Sequence, residues 1–231
     1  MGILFTGGEG PDPRILERFF GDALTGAMIV AADSGLVLAE AAGLKPDWII
    51  GDMDSLDEQR LKPYPAEIVI RHSHDKDFTD TELALALLRE KGCDEVWIAG
   101  GGGGRIDHLL GIRDLFEREQ FPRRWITSRE YIQCINGGLD ESTEEEYTTV
   151  ETFNCVTGEI SKTGHQMIFS VFPLGAGPWK AESTGLKWPL DNVHWERGLY
   201  GLSNVAAEAE VSITAVQGRF LIITEGAWYW N

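Results

Sequence analysis

The sequence predicts an α/β domain with a mostly parallel, Rossmann-like sheet and flanking helices, followed by an all-β sandwich. Up to about residue 125, short apolar runs alternate with helical patterns, as is typical of βαβ units. Beyond that point, short strands are separated by turn residues without a helical period. A length of 231 residues, 43% of them hydrophobic, is sufficient for two packed cores. We therefore expect an α/β domain over residues 1–125 and a β-sandwich over residues 126–231.

The strands of the first domain are predicted from its short apolar runs. They are Ile3–Phe5, Met28–Ala32, Trp48–Ile50, Glu67–Ile70 and Glu95–Ala99. Helices are predicted between them over Leu36–Ala42 and Thr81–Lys91. In the second helix the apolar residues recur at a period of 3.6 residues, and Gly92 follows as a stop signal.

The strands of the second domain are predicted over Met167–Phe172, Gly198–Asn204, Ala209–Ala215 and Phe220–Thr224. Ahead of them, residues 140–151 carry six acidic residues and no basic ones. We interpret this segment as a solvated hairpin tip or loop. A metal site there is the less favoured alternative, because Ser and Thr separate the carboxylates.

Charge and cysteine content limit the possible partners and location. The sequence has 37 acidic and 20 basic residues, a net charge of −17, which argues against nucleic acid or an anionic membrane as a partner. The three cysteines at 93, 134 and 155 are too far apart for a CxxC metal site and do not indicate a disulfide framework. We therefore predict a cytoplasmic protein.

Aspartates follow two of the predicted parallel strands. Asp33 comes after Met28–Ala32, and Asp52 and Asp54 come after Trp48–Ile50. The carboxyl ends of parallel strands share the sheet edge where α/β proteins bind ligands. Carboxylates that converge there suit Mg²⁺, which prefers oxygen ligands. A turn stabilised by Asx hydrogen bonds explains the Asp-x-Asp-Ser motif equally well.

A second acidic segment precedes the predicted helix Thr81–Lys91. Thr79 and Glu82 form a capping-box pattern, and Asp80 complements the helix dipole. Capping does not account for the charged residues at 75–77. Because neighbouring carboxylates repel one another, either a cation or Lys76 is expected to offset them, and the amides of the helix start could bind a phosphate oxygen.

A glycine run at 100–104 follows the predicted strand Glu95–Ala99 and leads into Arg105. We expect its main chain to approach a ligand closely and to present N–H groups to an anion. Arg105 supplies a planar fork that suits phosphate oxygens. Asp107 could cap the following helix, and His108 is either a general base or a structural histidine. The run is not a P-loop, because no Lys-Ser/Thr pair follows it.

Six segments in the same order carry a family resemblance. They are Asp33–Gly35, Gly51–Ser55, Asp75–Asp80, Gly103–His108, Thr184–Leu190 and Gly201–Asn204. Together they resemble thiamine pyrophosphokinases over most of the chain. The resemblance implies an α/β domain joined to a β-sandwich, and transfer of diphosphate from ATP to the hydroxyl of thiamine with release of AMP. It also implies Mg²⁺, and a homodimer in which thiamine lies between the catalytic domain of one subunit and the sandwich of the other.

The resemblance also implies roles for individual residues. Mg²⁺ would be held by Asp52, Asp54 and Asp80. Catalysis would involve Asp54, Asp77, Asp80, Arg105 and Asp107. ATP would be bound by Asp33, Ser34, Lys76, Thr79, Gly103, Gly104, Arg105 and His108. Thiamine would face Ser203 and Asn204 through its pyrimidine ring.

Two roles stay open at the level of sequence. The group that takes the hydroxyl proton is Asp75, Asp77, Asp80 or a metal-bound water. Trp188 and Trp195 are both candidates to stack on thiamine, although an aromatic residue in a sandwich is more often part of the core.

Other functions are weighed against the same residues. A diphosphokinase for another alcohol, such as a hydroxymethylpterin, would share the aspartate and glycine motifs, but the match at Ser203-Asn204 favours thiamine. A non-catalytic thiamine or nucleotide sensor would not need every candidate Mg²⁺ aspartate. A carbohydrate-binding or interaction module would explain the tryptophan-rich second half but not the motifs between residues 33 and 108.

Overall fold

The chain divides into two compact units, Met1–Arg129 and Glu130–Asn231. The computed structural model describes residues 1–73, 75, 77–139, 143, 145–155 and 167–225, without the side chains at 18, 22 and 23. Lys76 and residues 140–142 and 144 of the acidic segment therefore lie outside the described residues.

The first unit is built on a parallel sheet. Its strands are β1 (Gly2–Thr6), β2 (Met28–Ala32), β3 (Trp48–Gly51), β4 (Val69–Arg71), β5 (Val96–Gly100) and β6 (Arg124–Ile126). Their spatial order is β6-β5-β1-β2-β3-β4, and every neighbouring pair in it is parallel. The order reverses at β1, which has β2 on one side and β5 on the other. This is the kind of switch point at which α/β sheets bind ligands.

A helix follows each of the first five strands. The helices are α1 (Pro13–Phe20), α2 (Gly35–Ala41), α3 (Glu58–Leu61), α4 (Asp80–Glu90) and α5 (Ile106–Leu115). The predicted helix Thr81–Lys91 corresponds to α4, which buries Ala84, Leu85, Leu87 and Leu88. Strand β1 is buried along its whole length, as expected for a parallel strand covered on both faces.

The second unit consists of antiparallel strands. They are β7 (Glu130–Leu139), β8 (Glu146–Tyr147), β9 (Thr149–Asn154), β10 (Ile168–Leu174), β11 (Lys180–Thr184), β12 (Gly201–Val205) and β13 (Glu210–Glu225). The first half of β13 pairs with β9 and β11. Its second half pairs with β7 and β10, and β10 also pairs with β12. One long strand thus belongs to two sheets.

The prediction of two separate strands over 209–224 was wrong. Gln217-Gly218-Arg219 has the composition of a turn, yet these residues lie within β13. Gly218 has a φ of +81°, a conformation that glycine adopts easily. The strand therefore bends here and changes partners without ending.

The two sheets of the second unit enclose an aromatic core. Phe153 of β9 meets Phe169 of β10 edge to face, with ring centroids 5.1 Å apart. Trp195 packs in the same way against Phe220 of β13. The predicted fold class is confirmed: a mostly parallel α/β sheet is followed by an all-β unit. In the parts of the chain that the structure describes, no helix is long and apolar enough to cross a membrane.

Candidate active site

Three carboxylates converge beyond the ends of β2 and β3. One oxygen each from Asp33, Asp52 and Asp54 lies within 4.8 Å of the others. The main chain produces this arrangement, because Asp33 and Met53 both adopt left-handed conformations, with φ of 47° and 64°. Met53 is buried, so the turn between Asp52 and Asp54 is anchored in the core. The amide of Asp54 also donates to Asp52 Oδ1 at 3.1 Å, and the predicted Asx turn and the carboxylate cluster therefore coexist.

Asp33 is a half-buried member of this carboxylate cluster. Its Oδ2 accepts a hydrogen bond from the hydroxyl of Ser55, whereas its buried Oδ1 has no hydrogen-bond partner among the described residues. Burial raises the pKa of Asp33, and the charges of Asp52 and Asp80 act in the same direction. The hydrogen bonds from Ser55 and from the Ser34 amide oppose that rise. An oxygen that has no hydrogen-bond partner within the described ranges, in a group of carboxylates that repel one another, fits a divalent cation with oxygen ligands.

Asp80 borders the carboxylate cluster from the first turn of α4. A Cβ atom added to Gly51 would lie 3.3 Å from Asp80 Oδ1 and 3.2 Å from Asp33 Cβ, so both aspartates flank the end of β3. Thr79 caps α4 through the predicted capping box: its hydroxyl accepts from the Glu82 amide at 3.2 Å, and its amide donates to Glu82 Oε2 at 2.8 Å. Thr79 thus fixes where the helix begins.

The other aspartates of this segment are placed differently. Asp75 and Asp77 are exposed, and neither belongs to the group of three converging oxygens. The Asp75 amide donates to Ser73 Oγ at 3.2 Å.

The glycine run after β5 is joined to a second glycine-rich loop after β1. Gly101 donates to the carbonyl of Gly7 at 2.8 Å, and Gly102 exchanges hydrogen bonds of 2.6 and 3.0 Å with Glu9. The expectation that all five glycines present their N–H groups to an anion is therefore wrong for Gly101 and Gly102. Gly103 and Gly104 are the exposed members of the run.

Neighbouring residues leave no space for larger side chains at several glycines of these joined loops. The indole of Trp125 donates to the Gly100 carbonyl at 2.7 Å, and a Cβ on Gly101 would overlap Ile112 of α5. Ser34 Oγ occupies the space that a Cβ on Gly7 would need. Glycine is therefore required at positions 7 and 101 by packing within the protein, whereas the space around Gly104 is open among the described residues.

Arg105 and Asp107 form an exposed pair at the start of α5. The guanidinium donates to both carboxylate oxygens, at 3.1 and 2.5 Å. These bonds lower the pKa of Asp107 to about 2. Asp107 does not cap the helix as expected, because the cap position is Arg105 and Asp107 is already inside the first turn. His108 is exposed.

Several residues that support the site were not predicted. The loop Gly7–Gly10 carried a signal that could have been used, since three glycines follow a predicted buried strand. Ser55 and Trp125 act through contacts with Asp33 and Gly100, which are distant in the sequence. Ser128 donates to Glu9 at 3.1 Å, also across a long separation.

The predicted substrate residues of the second unit have different surroundings. Ser203 is exposed and left-handed, with φ of 55°, and its amide donates to Ser170 Oγ at 3.3 Å. Asn204 is 6% exposed, and its amide group bonds to the main chain of Trp188. Trp188 is 54% exposed and Trp195 is 8% exposed. Of the two candidate tryptophans, Trp188 is therefore the one open to a ligand.

Two family models match the chain, one within each compact unit. Residues 24–127 match the family model described as thiamin pyrophosphokinase, catalytic domain. Residues 158–220 match the model described as thiamin pyrophosphokinase, vitamin B1 binding domain.

Individual relatives carry the same description. The chain is 31% identical over 200 residues to a thiamine pyrophosphokinase of Bacillus subtilis, covering 84% of this chain and 85% of the relative. It is 28% identical over 184 residues to thiamine pyrophosphokinase 1 of Oryza sativa, covering 74% of this chain and 63% of the relative. The crystal structure of thiamine pyrophosphokinase from Bacillus subtilis superposes with a TM-score of 0.71 at 25% identity, over 97% of each chain.

Proposed function

Because this chain belongs to the thiamine pyrophosphokinase family, we propose that it transfers a diphosphate group from ATP to the hydroxyl of thiamine and releases AMP. The observation that carries the proposal is the carboxylate cluster of Asp33, Asp52 and Asp54, at the same sheet edge as the two joined glycine-rich loops. Carboxylates suit Mg²⁺, and main chain with little side-chain bulk suits phosphate groups.

In the proposed reaction, the hydroxyl oxygen of thiamine forms a bond to the β-phosphorus of ATP. The bond between that phosphorus and the bridging oxygen to the α-phosphate breaks, and AMP leaves with the bridging oxygen. The hydroxyl proton passes to a base. A transfer of this kind needs charge neutralisation and in-line positioning more than covalent chemistry by the protein.

The residues of the first unit divide these tasks. Asp52 and Asp54 of the carboxylate cluster would hold Mg²⁺ together with Asp80 at its border, and Asp33 is the third member of the cluster. When bound, Mg²⁺ would neutralise phosphate charge and orient ATP. The remaining ATP contacts are proposed for Ser34, Lys76, Thr79, Gly103, Gly104, Arg105 and His108. Among these, the exposed guanidinium of Arg105 can exchange Asp107 for phosphate oxygens, since a pair in water is weakly held.

The base is proposed to be an aspartate of the segment 75–80. Asp80 borders the carboxylate cluster, where it would face the cation. Asp75 and Asp77 are exposed ahead of α4 and are open to an incoming hydroxyl group.

Thiamine is proposed to bind the second unit through Trp188 and Ser203. The indole of Trp188 is exposed, and Lys187 Nζ lies 4.6 Å from its ring centroid. An exposed aromatic face suits the flat pyrimidine ring of thiamine.

We further propose that two copies associate and that thiamine binds at the subunit interface. Large apolar side chains are exposed in both units, including Ile106 and Leu110 on α5 and Tyr200 and Leu202 in the second unit. Interfaces commonly cover such residues. Sedimentation should therefore give about twice the chain mass of 25.6 kDa. A particle that stays at the chain mass at working concentrations would contradict the shared site.

The activity is tested by incubating the protein with ATP and Mg²⁺, with and without thiamine, and measuring AMP and thiamine diphosphate. We expect both products in equal amounts, only with thiamine and only with a divalent cation. If AMP forms with a hydroxymethylpterin but not with thiamine, the protein is a diphosphokinase for that alcohol instead. Tight thiamine binding without any AMP would instead indicate a sensor.

A further inference from the structure

Trp188 lies in the segment between β11 and β12, and hydrogen bonds hold this segment in place. Leu186 and Leu190 on either side of it are buried. The Lys187 amide donates to the Val205 carbonyl at 2.9 Å, and the Leu190 amide donates to Ser183 Oγ at 3.0 Å. The segment is thus anchored at both ends, with the exposed indole between the anchors.

Asn204 completes the anchoring at Trp188 itself. Its Nδ2 donates to the Trp188 carbonyl at 2.6 Å, and its Oδ1 accepts from the Trp188 amide at 3.2 Å. Oδ1 also accepts from the Val205 amide at 2.9 Å. Both polar groups of the Trp188 main chain are therefore satisfied by one side chain, in the manner of a paired strand.

This arrangement differs from the role that the family resemblance suggests. A residue that faces the pyrimidine ring of thiamine should offer its amide to the ligand. Asn204 is 6% exposed and uses both its oxygen and its nitrogen within the protein. Its neighbour Ser203 is exposed, so the two adjacent positions have separate tasks.

We infer that Asn204 is a positioning residue, which holds the main chain of Trp188 so that the indole stays presented as a binding face for thiamine. The inference rests on the proposed function, because it assumes that Trp188 contacts the substrate. It also has a part that needs no substrate: loss of the Asn204 amide leaves the Trp188 carbonyl without its donor and loosens residues 187–189.

A double-mutant cycle separates positioning from direct contact. Trp188→Ala is expected to raise the KM for thiamine between about 10-fold and 100-fold, the range for loss of one aromatic stack on a flat ring. Asn204→Asp keeps the size and the acceptor but replaces the donor that faces the Trp188 carbonyl. It is expected to raise the same KM by about 10-fold, with little change in kcat or in the KM for ATP. Because Asn204 acts through Trp188, the double variant should match Trp188→Ala within about 2-fold.

Hydrogen exchange on the substrate-free protein provides an independent measurement. In Asn204→Asp, and in Asn204→Ala as a second variant, the amide of Trp188 should exchange about 10-fold faster, while the rest of the second unit is unchanged. Thr149→Val is the matched control. It removes a side-chain hydrogen bond to the Asn136 carbonyl, of 2.6 Å, in the same unit, and it should change neither the exchange at Trp188 nor the KM for thiamine.

The possible failures are distinguishable. If the KM increases of the single variants multiply in the double variant, Asn204 contacts thiamine directly and the inference is wrong. It is also wrong if the Asn204 variants leave both the KM for thiamine and the exchange at Trp188 unchanged. If Trp188→Ala itself leaves the KM unchanged, the thiamine-binding face in the proposed function fails, whatever the exchange data give.

Discussion

Replacing Asp54 with asparagine is expected to lower kcat/KM for thiamine diphosphate formation by about 1,000-fold, equivalent to about 4 kcal/mol of transition-state stabilisation. Asparagine has the shape of aspartate but lacks its charge, so the variant removes one of the three converging carboxylates without removing bulk. The turn itself should persist, because it depends on the main chain, on buried Met53 and on Asp52 Oδ1.

Two measurements test this expectation. Initial rates of AMP formation give the loss of activity, and direct titration with Mn²⁺ gives cation binding without turnover. Both should fall in Asp54→Asn. The matched control is Asp57→Asn, three positions further on, where the side chain caps α3 by accepting from the Gln59 amide at 2.9 Å. Asparagine caps a helix start as well as aspartate does, so this control should keep its activity. Full turnover in Asp54→Asn would refute the carboxylate cluster as the cation site.

Replacing Arg105 with alanine is expected to reduce kcat/KM for ATP by roughly 100-fold, the scale for loss of one charged donor to a transition-state oxygen. The guanidinium lies at the end of the glycine run and is held by Asp107 alone among the contacts that the structure describes for it. It is also largely exposed, so it can turn to phosphate oxygens at little cost. Lysine at this position should restore part of the activity, since it keeps the charge but not the planar fork.

The matched control for this variant lies on the same helix. Arg113 near the end of α5 pairs with Asp114 at 2.9 Å and with Glu117 at 2.6 Å. Arg113→Ala removes the same charge at the other end of α5 and should leave the kinetics with ATP unchanged. Equal losses in both variants would point to helix stability or overall charge. An Arg105→Ala enzyme with unaltered ATP kinetics would remove Arg105 from the proposed site.

The net charge of −17 is compatible with an ATP-dependent enzyme. Part of the acidity is concentrated at the end of β2, at the end of β3 and at the start of α4, where a cation would offset it. A carboxylate-lined site repels free ATP but accepts its complex with a divalent cation. In the proposed function, glycine main chain and Arg105 would then meet the phosphate oxygens.

Much of the fold could be predicted because it depends on local patterns. Short apolar runs predicted β2 and β3, and a 3.6-residue apolar period predicted α4, each within one residue of its observed ends. The predicted capping box at Thr79 is present. Strands β9 and β11 were missed because their sequences are mostly polar, and both are held by pairing with β13. Strand β7 was missed although it carries the buried residues Tyr131, Ile132, Cys134 and Ile135.

The sequence by itself determined that aspartates and glycines would meet at one sheet edge. Parallel strands that are joined by helices all end on the same side, so Asp33, Asp52 and the glycine run had to lie there together. The family resemblance followed from the order of these motifs, and the family models and relatives confirmed it.

Only the tertiary structure decided which atoms are available to a ligand. It joined Glu9 to Gly102 and engaged Asn204 with Trp188. It also turned one Asp33 oxygen towards Ser55 and left the other without a hydrogen-bond partner in the part of the chain that the structure describes. The physical reason is that each hydrogen bond joins residues from separate elements. Its existence depends on packing and strand register, which local composition does not specify.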